Sequence, residues 1–106
     1  MNLLTLDFET YYSKDFSLSK LTTEEYIRDP RFEVIGVAVK CNGQELSSSR
    51  AAAAQWFSGS KNQVKQFLSQ FDWSNSVALA HNAMFDMAIL NWHFGIKPKL
   101  IADTLA

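Results

Sequence analysis

Two acidic residues near the amino end, Asp7 and Glu9, stand two apart in a stretch that reads as a strand. Both side chains therefore leave the same face and can share one ligand. Spacing alone decides little, because Asp-x-Glu arises by chance in roughly four in ten chains of this length. Position adds weight: residues 3 to 8 are apolar apart from Thr5 and Asp7, the pattern of a strand covered on both faces in the middle of a sheet. Carboxylates at the carboxyl end of such a strand are expensive to desolvate unless a cation or a donor meets them. The plainer alternative is a strand that ends at the surface.

A third acid sits late in the chain. From residue 83 to residue 90 every side chain except Asp86 is apolar, which predicts a helix over 83 to 94 that is buried nearly all round. Aspartate is almost never buried without a partner. Asp86 lies one turn beyond Asn82, on the same helix face. Either it accepts a hydrogen bond from a backbone group or a basic side chain, or it points at Asp7 and Glu9. In the second case three carboxylates converge at the carboxyl edge of a parallel strand pair, where ligands bind in α/β sheets. An all-oxygen set of this kind suits Mg²⁺ or Mn²⁺.

The elements that must position these acids follow from punctuation and periodicity. The first strand runs over residues 2 to 9. Thr22 with Glu25 three residues later has the form of a capping box and predicts a short helix over about 23 to 28, stopped at Asp29-Pro30. Residues 32 to 40 are rich in β-branched types and lead to Asn42-Gly43, a tight-turn dipeptide, so a third, short and polar strand over 44 to 48 should close a hairpin. The alanine run at residues 51 to 54 carries no pattern. Ser60 can cap a helix whose apolar positions Val64, Phe67, Leu68 and Phe71 fall at helical spacing. Residues 76 to 80 read as a buried strand, Gly95 and Pro98 end the late helix, and residues 100 to 102 make a last strand. Asp103 and Thr104 look like the cap of one more helix. The order predicts an α/β domain whose mixed sheet of about five strands has flanking helices, with a hairpin preceding crossover helices.

Composition bounds the rest. The 106 residues hold one compact domain over 1–106. Ten basic against eleven acidic residues give a net charge of −1, which excludes a protein that grips nucleic acid by bulk charge. The single Cys41 forms no internal disulfide, and no stretch reaches the length of a membrane span. With no basic secretory leader either, the expectation is an intracellular protein with no membrane partner. His81 and His93, twelve apart, do not read as a shared metal site, and Trp56, Trp73 and Trp92 read as packing residues.

Leu6-Asp7-Phe8-Glu9-Thr10 resembles the first motif, and His81-Asn82-x-x-Phe85-Asp86 the second motif, of the DEDD-type 3′→5′ exonucleases, whose fold is ribonuclease-H-like. Ile101-Ala102-Asp103-Thr104-Leu105 looks like the strand-to-helix segment that follows them. Together with Tyr26-Ile27-Arg28-Asp29-Pro30-Arg31-Phe32, the set is most similar to the N-terminal proofreading domains of bacteriophage family A DNA polymerases. The resemblance implies two-metal hydrolysis of the terminal phosphodiester at the 3′ end of single-stranded DNA in the cytoplasm of a bacterial host. It further implies that Asp7 bridges two Mg²⁺ or Mn²⁺ ions, Glu9 ligates one, and Asp86 holds the other directly or through water. Asn82 would orient the strand end, and Thr10 would offer its backbone amide to the terminal nucleotide. Phe8 and Phe85 read as core rather than as base-stacking platforms.

The family's third motif, which supplies a fourth carboxylate and a residue that positions the water, has no counterpart in these 106 residues. The domain therefore reads as incomplete at its carboxyl end, with a partly occupied metal site and little or no activity alone. Its partner would be the remainder of a polymerase or a second chain that completes the domain, and an exposed apolar face would favour association with that chain or with itself. Two rival readings stay open: a non-catalytic binding module that has kept the fold, and an RNA-trimming exonuclease of the same superfamily.

Overall fold

The computed structural model describes residues 2–42 and 54–103. Strand β1 (Asn2–Thr10) is followed by helix α1 (Thr23–Arg28) and strand β2 (Val34–Asn42), then by strand β3 (Gln55–Ser58) and helix α2 (Lys61–Leu68). A single 3₁₀ turn (Trp73–Asn75) leads into strand β4 (Ser76–Ala80), helix α3 (Ala83–Phe94) and strand β5 (Leu100–Asp103). The five strands form one mixed sheet in the order β3-β2-β1-β4-β5. β1 pairs antiparallel with β2 and parallel with β4, while β3 extends one side antiparallel and β5 the other side parallel.

Local chemistry explains the helix ends. Both halves of the capping box form at Thr22/Glu25, and the same reciprocal pair forms at Ser60/Gln63 ahead of α2. Asp29, held extended before Pro30, ends α1. Gly95 closes α3 with φ of 66°, a left-handed conformation that costs glycine little.

Residues directly opposite one another in a sheet share a face. Leu4, Leu6 and Phe8 stand opposite Cys41, Val39 and Val37, and Leu4 lies beside Ala78. This is the core face. The Phe8 ring stacks on Phe94 of α3 at 5.8 Å, and Phe57, opposite Val37, stacks on Phe67 of α2 at 5.0 Å. Both longer helices therefore cover one side of the sheet. α1 packs outside them: Nε2 of His93 donates to the Ile27 carbonyl at 2.9 Å, and the Arg28 guanidinium lies 4.1 Å over the Trp92 ring. Trp73 is buried and its indole N–H donates to the Leu68 carbonyl.

The other face is open. It carries Leu3, Thr5, Asp7 and Glu9 on β1, Ala38 and Lys40 on β2, Trp56 on β3, Val77 and Leu79 on β4, and Leu100 and Ala102 on β5. Among the described residues no helix lies on it. Two-sided cover for the first strand, expected from its apolar run, is met on one side only among the described residues, and Leu3 is half-buried.

Two further expectations change, and others fall outside the described residues. The turn at Asn42-Gly43 and the strand over 44 to 48 fall outside the described residues, as do positions 51 to 53 of the alanine run. On the side of β2 away from β1, the described antiparallel neighbour is Gln55–Ser58, a segment of four residues too short to announce itself by periodicity. α3 is not buried all round, since Met84 is 74% exposed and Trp92 also faces solvent, because sheet and α1 cover only part of its circumference. Trp56 is exposed rather than buried and lies across Gly36 instead of entering the core. No helix among the described residues is long and apolar enough to cross a membrane.

Candidate functional site

The β1–β4 ladder runs from Asn2↔Ser76 to Thr5↔Leu79 and then stops. Beyond Thr5 the β4-side edge of β1 needs other partners for its backbone groups. α3 supplies one. It begins three residues after β4 ends, and Asp86, in its first turn, accepts the Phe8 N–H through Oδ1 at 3.0 Å. The backbone donor lies between Asp7 and Glu9, so this bond ties the helix acid to the strand segment carrying the acidic pair. One of the two alternatives for Asp86 is thus present as geometry: it accepts from backbone. Neither ion pair among the described residues, Arg28–Glu24 and Arg31–Asp29, involves Asp7, Glu9 or Asp86.

Asp103 belongs to β5, opposite Ala80, and its Oδ2 accepts the Ala83 N–H at 3.2 Å. It therefore caps α3 from a neighbouring strand; its reading with Thr104 as the cap of a following helix lies outside the described residues. Asn82 holds the N-cap position of α3 with no side-chain capping bond, so its amide remains exposed beside the first turn.

The electrostatics reflect this crowding. Asp86 is 4% exposed, and burial is the main cause that pushes its carboxyl up to about 7. The Phe8 hydrogen bond opposes that rise, while the charges of Asp7, Glu9 and Asp103 add to it. Glu9 is also raised, first by its own partial burial and then by Asp7 beside it. Asp7 and Glu9 leave the open face of the sheet and are exposed. Asp86 approaches from the helix side.

Oxygen donors of this type match the preference of hard divalent cations, and a cation would relieve the like-charge crowding. Among the described residues, however, no three His, Cys, Asp or Glu side chains stand close enough together to hold one metal ion. The arrangement is an exposed, rotatable pair with an anchored third acid, and not a closed cage.

Thr10 lies where the β1–β2 register shifts: Glu9 faces Gly36 and Thr10 faces Val34, leaving Ile35 without a partner on β1. The Tyr26 hydroxyl donates to the Tyr11 carbonyl and so accepts from the Thr10 hydroxyl at 2.9 Å. These bonds fix the chain as it leaves β1. Phe8 is buried and Phe85 half-buried, its ring 6.1 Å from Tyr26. Sequence reasoning missed Asp103 as a neighbour of Asp86, although a parallel β4–β5 pair would have placed it at that edge. Tyr26 entered only as part of the segment that carries the resemblance, and its bonds to Thr10 and Tyr11 leave no signal in one sequence. Compared with family models, curated proteins and solved structures, the chain finds no match in any of the three.

Proposed function

We propose that this chain is a DEDD-type 3′→5′ exonuclease lobe of ribonuclease-H-like fold, of the kind that proofreads for a bacteriophage-type DNA polymerase. Its substrate would be the 3′ end of single-stranded DNA. The observation that carries the reading is the bond from the Phe8 N–H to Asp86, which brings a buried carboxyl to the strand segment bearing Asp7 and Glu9, with no basic side chain among the described residues paired to it. The sheet order supports it: the chain leaves β1 toward β2 on one side and returns through β4 on the other, so the acids lie at the carboxyl end of the strand where the order reverses.

In this reading Asp7, Glu9 and Asp86 hold Mg²⁺ or Mn²⁺, which when bound supplies Lewis-acid charge and an activated water. Asp7 and Glu9, being exposed, rotate toward the ion, while Asp86 stays fixed by Phe8 and by the start of α3. The exposed Asn82 amide offers donors to a strand end lying along the α3 N-terminus. Thr10, its side chain engaged by Tyr26, presents backbone rather than hydroxyl. A fourth carboxylate would have to come from outside these 106 residues, from the rest of a polymerase or from a second chain, and hydrolysis by this chain alone should be weak or absent.

Mn²⁺ titration followed by electron paramagnetic resonance tests the reading. Wild-type chain should bind the ion, Asp7→Ala and Asp86→Asn should bind it at least tenfold more weakly, and 3′-labelled single-stranded DNA should be trimmed only when a complementing segment is added. Equal Mn²⁺ binding by wild type and Asp7→Ala would remove it. The observation that no three ligand-type side chains now share one ion favours a second reading, a binding module that kept the fold and lost the chemistry. In that case no added segment restores trimming.

A further inference from the structure

The open face of the sheet divides into two parts. Toward β4 and β5 it is apolar: Val77 and Leu79 are half-buried, Leu100 is 55% exposed, and Ala102 lies beside them. Toward β1 and β2 it is charged, with Lys40 opposite Thr5 and Asp7 opposite Ala38. Lys40 is exposed and has no ion pair or hydrogen bond among the described residues. Asp7 has a like charge, Glu9, as its neighbour on the strand. An apolar sheet face rimmed by an unpaired cation and a repelled anion is the composition of an interface.

The register gives the partner. With strands about 4.8 Å apart and residues rising about 3.3 Å along each, Lys40 and Asp7 both lie about 12 Å from the centre of the Val77–Leu79–Leu100–Ala102 patch. They lie on the same side of it, in different directions. A two-fold axis in the plane of the face, passing through that centre and bisecting the two directions, exchanges them. We propose that the open sheet face docks a second copy of this chain, with the patches meeting on the axis and Lys40 of each copy reaching Asp7 of the other. The two sheets then cross at a steep angle, in the orthogonal class of sheet packing. Self-complementarity of this kind is what a two-fold dimer requires, since every contact occurs twice. The inference stands on the sheet face and its charges and not on the nuclease reading, with which it competes: a copy docked here engages Asp7 with Lys40 in place of a metal ion.

Sedimentation equilibrium of the purified chain tests it, with circular dichroism to confirm folding. Wild type should run at twice the chain mass at tens of micromolar. Leu100→Asp and Ala102→Glu, each near the axis, should give folded monomers. Lys40→Asp and Asp7→Lys should each weaken association about fivefold to tenfold, because two exposed pairs are lost at once. The combined charge swap should recover most of that loss. A wild-type monomer at 100 µM, or a dimer indifferent to Leu100→Asp and to both charge changes, would overturn the proposal.

Discussion

Replacing Asp86 by Asn should stabilise the folded chain at neutral pH and do little in acid. Burial and three neighbouring carboxylates raise the Asp86 carboxyl from its ordinary 3.8 to about 7, against the opposing Phe8 bond. The folded state therefore holds a proton that the unfolded state releases between about pH 4 and pH 7, so stability falls as pH rises through that window. The full difference corresponds to about 4 kcal/mol, present above pH 7 and absent below pH 4. Asn keeps a carbonyl oxygen for the Phe8 N–H and has no charge to desolvate. The neutral bond is weaker than the charged one by about 1 kcal/mol, leaving a net gain of about 2–3 kcal/mol at pH 8.

Urea unfolding followed by tryptophan fluorescence, with buried Trp73 as a reporter, measures this at fixed protein concentration from pH 5 to pH 8. The difference between the two proteins isolates Asp86, because Glu25 and Asp29, whose carboxyls are held low by local hydrogen bonds, titrate alike in both. Millimolar Mn²⁺ should recover stability for the wild type at pH 8 and leave the Asn variant unchanged. A wild-type minus variant difference that stays flat across this pH range would refute the reasoning, since Asp86 would then titrate as an ordinary surface acid.

Three further substitutions test the frame around the site. Gly36→Ala should cost about 1–3 kcal/mol, because its Cβ would meet the Trp56 ring and lie 2.8 Å from the Phe57 carbonyl, and thermal unfolding would show Trp56→Ala giving only partial rescue. Tyr26→Phe should cost about 1–2 kcal/mol by releasing the Tyr11 carbonyl and the Thr10 hydroxyl together, read by the same melt and by faster amide exchange at the end of β1. Asp103→Ala should fray the first turn of α3 and lower stability by about 1 kcal/mol, with amide exchange at Ala83 rising before exchange in the middle of the helix.

Much of the frame was readable because local signals acted alone. Thr22/Glu25, Ser60 and Gly95 punctuate their helices through contacts within a few residues, and the strand over 76 to 80 needed only its apolar run. What stayed hidden depends on long-range pairing. Gln55–Ser58 is a strand because β2 offers an edge, and Asp103 caps α3 because β5 lies beside β4. Neither relation leaves a periodic trace. For the site, residue types singled out Asp7, Glu9 and Asp86, but the Phe8 N–H that anchors Asp86 is a backbone group and invisible in a sequence.

The two-sided apolar pattern of the first strand is the instructive mismatch. Leu4, Leu6 and Phe8 lie in the buried core, yet Leu3, beside Val77 on the neighbouring strand, faces the side on which no described helix lies. Half-buried aliphatic side chains in the middle of a sheet retain hydrophobic free energy that covering would release, at about 25 cal/mol per Å². That energy and the Asp86 proton lie on different sides of one strand. Covering the open face draws on apolar burial and should tolerate any pH from 5 to 8 with modest change. Filling the acidic end draws on charge and should strengthen as pH rises toward 7, then level off above it. Association measured across pH thus separates what Leu100 and Leu79 do from what Asp86 does, and a dimer whose affinity tracked the Asp86 titration would mean that the two surfaces act as one.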